Sequence, residues 1–388
     1  MVWLMAIATG LIVANLYFAQ PLVGPISQAT GLNPGAAGLI VTLTQIGYCL
    51  GLIFIVPLGD LVENRKLILC ALALTALSLL AAAFSNSAAL FLAAAFCIGL
   101  GSVAAQVVVP FAAHLSKPET RGQTVGTVMS GLLLGIMLAR PVSSLVTDAL
   151  GWHAIFVISA IGTGVLALVL RSKLPQRVPA HAMSYGALLG SMWHLLKTTP
   201  VLRRRAAYQF CMFGAFSLFW TTVPLELAGP AFGLSQTGIA LFALAGVAGA
   251  IASPIAGRRA DQGKSRSTTA MALGAGALAF AAPLLFTSGG YTAQLALLVC
   301  ASIVLDMGVS ANLVTGQRAI YALGAEVRSR LNGLYMSIFF MGGALGSLLG
   351  GWMFAHHGWH GVLLAGLAFP AAALAVYATE FTSSRNAA

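Results

Sequence analysis

Long apolar stretches alternate with short polar breaks along all 388 residues of the chain. Each stretch is close to the ~20 residues that a helix needs to cross the hydrocarbon core of a bilayer. The stretches show no alternation of apolar and polar positions with period two, so the pattern predicts helices rather than barrel strands. Twelve spanning helices are predicted, near residues 2–22, 36–58, 67–85, 88–113, 122–148, 152–170, 206–228, 236–256, 267–287, 292–318, 331–355 and 361–380.

The composition agrees with lipid as the surrounding solvent, because 59% of the residues are hydrophobic and only 7% are charged. The net charge of +11 could suggest nucleic acid, but the positions of the basic residues argue otherwise. All of them except Arg140 fall in alternate breaks or at the C-terminus. By the positive-inside rule these breaks and both termini are cytoplasmic. The charge therefore orients the chain in a membrane, and we expect no nucleic-acid partner.

The longest polar segment, 171–205, separates six predicted helices from six. We interpret it as a cytoplasmic linker between an N-terminal six-helix bundle, 1–170, and a C-terminal one, 206–388. The two halves repeat each other, since an offset of 207 residues matches Arg121 to Arg328, Gly135 to Gly342, and the tripeptide that begins at Gly151 to the one at Gly358. Several identities at one fixed offset indicate duplication, which is common among transporters.

The cytoplasmic break after the second helix reads PLGDLVENRK, and a related segment with Gly257 and Asp261 follows the eighth helix. Both are similar to the signature loop of the major facilitator superfamily, although Val56 replaces the usual first glycine. The resemblance covers nearly the whole chain. It implies that the loops latch the two bundles together in one conformation, and the residues that match are Asp60, Arg65, Lys66, Asp261 and Arg266.

Four further segments, ANLYFAQPL, GLLLGIMLARPVSSLV, FWTTV and RSRLNGLYMSIFFMGGALG, resemble a bacterial branch of sugar and drug exporters. Members of this branch are regarded as proton-coupled. The resemblance implies a multi-pass protein of the bacterial cytoplasmic (inner) membrane that exports a small organic molecule by alternating access. One departure is Ala95, because drug and proton antiporters usually carry arginine at that place in the fourth helix.

Two ionisable residues lie deep inside predicted spans, where a charged group costs several kcal/mol. Asp306 is about 14 residues into the tenth helix, which places it near the bilayer centre. Because burial disfavours the charged form of a carboxyl group, Asp306 is the candidate proton-coupling residue. Arg140, in the fifth helix, is its candidate partner or an anchor for an anionic substrate. A permanent structural pair of the two is the alternative.

Polar and aromatic residues within the spans are candidates for the lining of a substrate cavity; they are Asn15, Tyr17, Gln20, Gln106, Trp220, Glu226, Asn312 and Gln317. Small residues at intervals of four predict flat helix faces that pack closely, with a bend favoured at the proline in the fifth helix. The positions concerned are Gly131, Gly135, Pro141, Gly342 and Gly346.

The predicted function is proton-coupled efflux of a small organic molecule. The alternative is uptake or exchange of an anionic metabolite through the same fold, which Arg140 would support. The sequence contains no phosphate-binding loop of the GxxxxGK[ST] type, so ATP-driven transport is not predicted. We expect no enzymatic activity, no cofactor and no metal site. The expected partners are the substrate, protons and the lipid bilayer, and we expect a monomer.

Overall fold

The computed structural model describes residues 1–117, 120–178, 184–286, 289–324 and 326–385, without the side chains of 121–122, 248–251, 261 and 381–385. The chain is all-α in this part. Its helices are α1 (Val2–Ala14), α2 (Val23–Thr30), α3 (Leu39–Phe54), α4 (Asn64–Ala83), α5 (Ala88–Ser102), α6 (Ala104–His114), α7 (Arg121–Leu150), α8 (Trp152–Lys173), α9 (Tyr185–Thr198), α10 (Pro200–Ala228), α11 (Gln236–Ala243), α12 (Gly249–Asp261), α13 (Ser265–Leu285), α14 (Tyr291–Tyr321) and α15 (Arg328–Arg385).

Ten helical segments within the described ranges are long and apolar enough to cross a membrane. One of them, Arg328–Glu380, has 53 residues, and a non-helical glycine at 358 divides it. This length suffices for two crossings at about 20 residues each. With the pieces of the first span, α1 and α2, the segments are consistent with the twelve predicted helices. The prediction of an all-α membrane protein is confirmed.

The first span differs from the prediction of one helix over 2–22. The helix α1 ends at Ala14, and a short 3₁₀ helix, Gln20–Leu22, precedes α2. Between them the backbone bonds are of the tighter i to i+3 kind, as in Tyr17 N–H to the Ala14 carbonyl at 3.0 Å. Pro21 explains the break, because it has no N–H group and its ring clashes with the preceding turn of a helix.

The helices pack into two units. Unit 1 comprises 1–32 and 43–193, and unit 2 comprises 33–42 and 194–388. In unit 1, α1 packs along α7 and α4 packs along α5 and α8. In unit 2, α10 packs along α15, and α14 packs against α12 and α13.

Glycines form a close helix crossing in each unit. In unit 1 a Cβ atom on Gly135 would overlap the carbonyl oxygen of Gly10, so α1 and α7 touch through their backbones. In unit 2 a Cβ atom on Gly342 would likewise overlap the carbonyl oxygen of Phe210. The two crossings are related by the internal repeat, because Gly135 and Gly342 are equivalent at the offset of 207 residues. Such small residues allow the close helix approach found in membrane proteins.

Candidate functional site

The first span is broken at residues 15–19, which are not helical. Side chains from neighbouring helices of unit 1 make hydrogen bonds to this break. Ser143, on α7, donates a hydrogen bond to the Phe18 carbonyl at 2.7 Å. Ser159, on α8, donates to the side-chain oxygen of Asn15. The amide nitrogen of Asn15 is 3.2 Å from the carbonyl oxygens of Leu11 and Ile12 at the end of α1. The bonds to the carbonyls of Phe18, Leu11 and Ile12 satisfy backbone acceptors near the break, as the apolar surroundings require.

Several of the predicted cavity residues of unit 1 cluster at this break. Tyr17 lies within electrostatic range of both Arg140 and Tyr48. Gln106, on α6, donates to the Tyr48 hydroxyl at 3.0 Å. The structure therefore brings Tyr17, Gln106 and Arg140 to one region, around the buried phenol of Tyr48. Tyr48 was not among the predicted residues, because it stands within the apolar run of α3 and no motif marks it.

Gln20 is the most unusual residue of the break. Its side chain is fully buried, and neither the oxygen nor the nitrogen of its amide has a hydrogen-bond partner among the described residues. A buried polar group without a partner costs about 1–3 kcal/mol. Arg140, on the adjacent α7, is only 4% exposed. The break thus holds a buried donor, a buried acceptor and a buried cation, which is the chemistry that recognises a polar ligand.

In unit 2, Trp220 and Asp306 form a buried pair. The indole nitrogen of Trp220, on α10, donates to the Oδ1 atom of Asp306, on α14, at 2.9 Å. Both side chains are at most 4% exposed. Asp306 stands at the middle of the 31-residue helix α14. The most deeply placed carboxylate among the described spans therefore has a specific neutral donor.

A second buried pair of unit 2 joins the same two helices. The amide nitrogen of Asn312 donates to the Oε1 atom of Gln209 at 2.6 Å. Within the described residues, the remaining nitrogen of Gln209 and the remaining oxygen of Asn312 have no partner. Asn312 is six residues beyond Asp306, or about 9 Å along the helix. Gln209 is not among the residues that the sequence selected.

The two remaining cavity candidates of unit 2 lie away from Asp306. Gln317 is near the end of α14, where its amide nitrogen is 3.4 Å from the side-chain oxygen of Asn332. Glu226 is near the end of α10, six residues beyond Trp220, where it lines a separate small cavity.

The signature-like loop of unit 1 contacts the end of α8. The Nη1 atom of Arg65 is 3.4 Å from the Arg171 carbonyl oxygen and 3.2 Å from that of Leu174. Glu63 lies 3.5 Å from both Arg65 and Lys66. Asp60 is exposed at the end of the 3₁₀ helix Val56–Asp60.

The related segment of unit 2 is anchored differently. The carbonyl of Arg266, at the start of α13, accepts a hydrogen bond from the Tyr377 hydroxyl at 3.1 Å. The side chain of Asp261 lies outside the described part of the structure.

The glycine and proline candidates lie on the packing helices. Gly131 and Gly135 face α1 from α7, and Pro141 lies within α7, which continues through it without a break. Gly342 and Gly346 face Phe210 and Gly214 of α10.

The relatives of this chain are transporters. It is 42% identical to YgaY of Escherichia coli O157:H7, described as an uncharacterized transporter, over 94% of this chain and 91% of that protein. It is 24% identical to the purine ribonucleoside efflux pump NepI of Escherichia coli K12, over 55% of this chain and 53% of NepI. The solved structure of the nucleoside transporter NupG superposes with a TM-score of 0.79 at 15% identity, covering 97% of this chain and 99% of that one.

The family comparison covers nearly the whole sequence. The family model described as Major Facilitator Superfamily matches residues 2–322 and again 208–387. The second match begins in the second half, in agreement with the internal repeat. The chain is a transporter that belongs to the major facilitator superfamily.

Proposed function

We propose that this transporter exports a small organic molecule in exchange for protons, with Asp306 as the proton-coupling residue. The observation that carries the proposal is the buried hydrogen bond from Trp220 to Asp306 at 2.9 Å. The carboxyl group lies at the middle of a span, where an ionised group is expensive. Taking up a proton there removes a charge from the membrane interior, so the gain or loss of this proton can be linked to a conformational change.

Because Trp220 is hydrogen-bonded to Asp306, the protonation state of Asp306 affects the contact between α10 and α14. An indole N–H only donates, so it can pair with either form of the carboxyl group. The ionised form accepts at both oxygens, whereas the protonated form must also place its own O–H on an acceptor. Protonation therefore changes the hydrogen bonds that α10 and α14 can make with each other.

The direction of transport is supported by one relative. NepI is named as an efflux pump, and it shares 24% identity with slightly more than half of this chain. The resemblance of the four sequence segments to bacterial exporters points the same way. The proposal includes a monomer in the bacterial inner membrane, with both termini cytoplasmic, which is the orientation that the distribution of Lys and Arg favours.

The break in the first span is the proposed substrate-binding region of unit 1. Gln20 supplies an unpartnered donor and acceptor, and Tyr17 and Gln106 lie in the same region. Amide and phenol groups bind neutral hydroxyl, carbonyl or amide groups of a ligand. In unit 2 the proposed lining comprises Trp220 and Asn312, and we retain Gln317 and Glu226 as further members. The loops with Asp60, Arg65, Lys66, Asp261 and Arg266 are the proposed conformational latch.

The alternative function is uptake or exchange of an anionic metabolite. It is favoured by Arg140, which is 4% exposed beside the break of the first span. A guanidinium group suits carboxylates and phosphates, because its planar fork can donate two parallel hydrogen bonds. In that case Arg140 would bind the substrate directly.

The test is reconstitution in liposomes that contain a pH-sensitive dye. A panel of nucleosides, sugars, amino acids, organic acids and cationic drugs is added to the wild type, to Asp306→Asn and to Asp148→Asn. Asp148 is an exposed carboxylate near the end of α7 and serves as the matched control. We expect a substrate-dependent proton flux that Asp306→Asn abolishes and Asp148→Asn retains. Equal proton flux in all three proteins would refute coupling through Asp306, and flux driven only by organic acids would support the alternative.

A further inference from the structure

A small cavity of about 120 Å³ lies in unit 2 at the end of α10 and the start of α14. Its lining combines one carboxylate and one amide, from Glu226 and Gln294, with three aromatic rings, from Phe232, Phe286 and Trp359. A water molecule takes up ~30 Å³ of liquid, so the cavity has room for about four waters or one compact polar group.

Glu226 is half-buried, and the structure gives its carboxylate no hydrogen bond or ion pair with any residue it describes. The Lys and Arg residues of the surrounding helices lie at their other ends. Arg205 is 21 residues before Glu226 on α10, which is about 30 Å along a helix. Arg266 begins α13, whose far end lines the cavity, and Arg318 is near the end of α14. In the described parts of these three helices, no Lys or Arg side chain is therefore within reach of the carboxylate.

The aromatic rings form walls that attract positive charge. Phe232 packs against Tyr291 with ring centroids 5.7 Å apart, and Trp359 packs against Phe219 at 6.1 Å. These contacts hold both rings in place. The faces of aromatic rings attract cations, and such cages are used to recognise ammonium groups. A carboxylate beside them adds full charge complementarity.

The lining also discriminates between kinds of cation. Hard metal ions such as Ca²⁺ and Mg²⁺ need about six or more oxygen ligands. One carboxylate and one amide cannot provide these, and the remaining lining is apolar. An organic ammonium group, in contrast, gains from the apolar and aromatic walls as well as from the carboxylate.

We propose that this cavity binds an organic ammonium group between Glu226 and the rings of Phe232, Phe286 and Trp359. The site deepens the proposed function, on which it rests, because it assigns a ligand class to Glu226, a member of the proposed lining of unit 2, and uses neither Asp306 nor the break in the first span. It lies six residues along α10 from Trp220, about 9 Å nearer the end of the span. It provides a place where an amine is recognised apart from the proton-coupling residue.

The experiment is calorimetric titration of the purified full-length protein in detergent with choline. The paired probe is the neutral isostere of choline, in which a tert-butyl group replaces the trimethylammonium group. The wild type should bind choline at least tenfold more tightly than the isostere. Glu226→Gln should weaken choline binding at least tenfold, and Asp148→Asn, which changes an exposed carboxylate near the end of α7, should leave it unchanged.

Ring variants separate a binding role from a structural one. Trp359→Leu should weaken choline binding severalfold, and Trp359→Phe should restore most of it, since phenylalanine keeps an aromatic face. Thermal unfolding verifies that each variant is folded. Equal binding of choline and its isostere, unchanged binding in Glu226→Gln, or no choline binding by folded wild type would each overturn the proposal. Proton coupling is tested separately by the liposome flux of Asp306→Asn, so failure of choline binding is distinguishable from failure of proton coupling.

Discussion

Trp220 and Asp306 are 86 residues apart in the sequence, yet the indole nitrogen of one donates to the carboxylate of the other at 2.9 Å inside unit 2. The bond ties α10 to α14 at the level of the only carboxylate that lies midway along a described span. The indole is a neutral partner, so it stabilises the carboxylate without cancelling its charge. Gain or loss of a proton by Asp306 therefore still changes the charge inside the membrane-spanning part of unit 2.

Replacing Trp220 with phenylalanine removes the donor and keeps an aromatic ring. We expect Trp220→Phe to lower the free energy of unfolding by about 1.5–3 kcal/mol, which is typical of hydrogen bonds to charged groups. The same replacement should lower the free energy of unfolding by less in the Asp306→Leu background, because the carboxylate that accepts the indole hydrogen bond is then absent. Denaturation in detergent of the two single variants and the double variant measures this coupling. Additive losses would show that the bond contributes nothing.

The amide pair of Gln209 and Asn312 allows a similar test with a different outcome. Gln209→Leu leaves the Asn312 amide buried without its partner, so we expect a loss of about 1–3 kcal/mol. The double variant with Asn312→Leu should be more stable than Gln209→Leu alone, since replacing both polar partners by apolar groups can be nearly neutral. If the double variant is instead the less stable of the two, the pair is held by other polar groups that leucine cannot replace.

The sequence predicted the helices and the depth of Asp306 because both depend on apolar length alone. The helix expected at 292–318 is Tyr291–Tyr321, and Asp306 stands at its middle. The break at Asn15 was not predicted, because the apolar run continues through it and the effect of Pro21 on the preceding turn was missed. Gln209 and Tyr48 were missed for another reason. Their importance comes from hydrogen bonds across helices, and these depend on helix rotation, which apolar length does not determine.

The glycine crossings predict position-dependent effects of adding one methyl group. In Gly135→Ala the new Cβ atom would overlap the backbone of Gly10, so α1 and α7 must separate. Overpacking of this kind costs about 1–3 kcal/mol. Gly126, on the same helix, is the matched control, because a Cβ atom there would meet nothing within 4 Å. Gly126→Ala should be neutral or stabilising by up to about 1 kcal/mol, as alanine is the better helix former.

Thermal unfolding of the two alanine variants gives the comparison directly. The same contrast is expected in unit 2 between Gly342→Ala, which would overlap Phe210, and Gly274→Ala, which has open space. Equal melting temperatures for Gly135→Ala and Gly126→Ala would mean that the crossing is looser than the backbone contact indicates.

The start of the linker is hydrogen-bonded to the start of α4, where Asn64 contacts the linker residue Arg177. The Asn64 N–H donates to the Arg177 carbonyl at 3.0 Å, and the Arg177 guanidinium donates to the Asn64 side-chain oxygen at 2.9 Å. Arg65 adds its bonds to the Arg171 and Leu174 carbonyls at the end of α8. Asn64→Ala or Arg65→Ala should therefore free residues 174–178, because each removes side-chain hydrogen bonds that hold them.

Limited digestion with proteinase K measures this release, since that protease does not require a basic residue at the cut. We expect cleavage in the linker to be severalfold faster in Asn64→Ala and Arg65→Ala than in the wild type. Lys66→Ala is the control, because its side chain is 78% exposed and its contact with Glu63 is a surface ion pair of little expected worth. Arg65→Lys should fall between the wild type and Arg65→Ala, because both bonds come from the single Nη1 atom, and an ammonium group has enough donors for both but a shorter reach. Wild-type cleavage rates in both Asn64→Ala and Arg65→Ala would show that other contacts hold the linker.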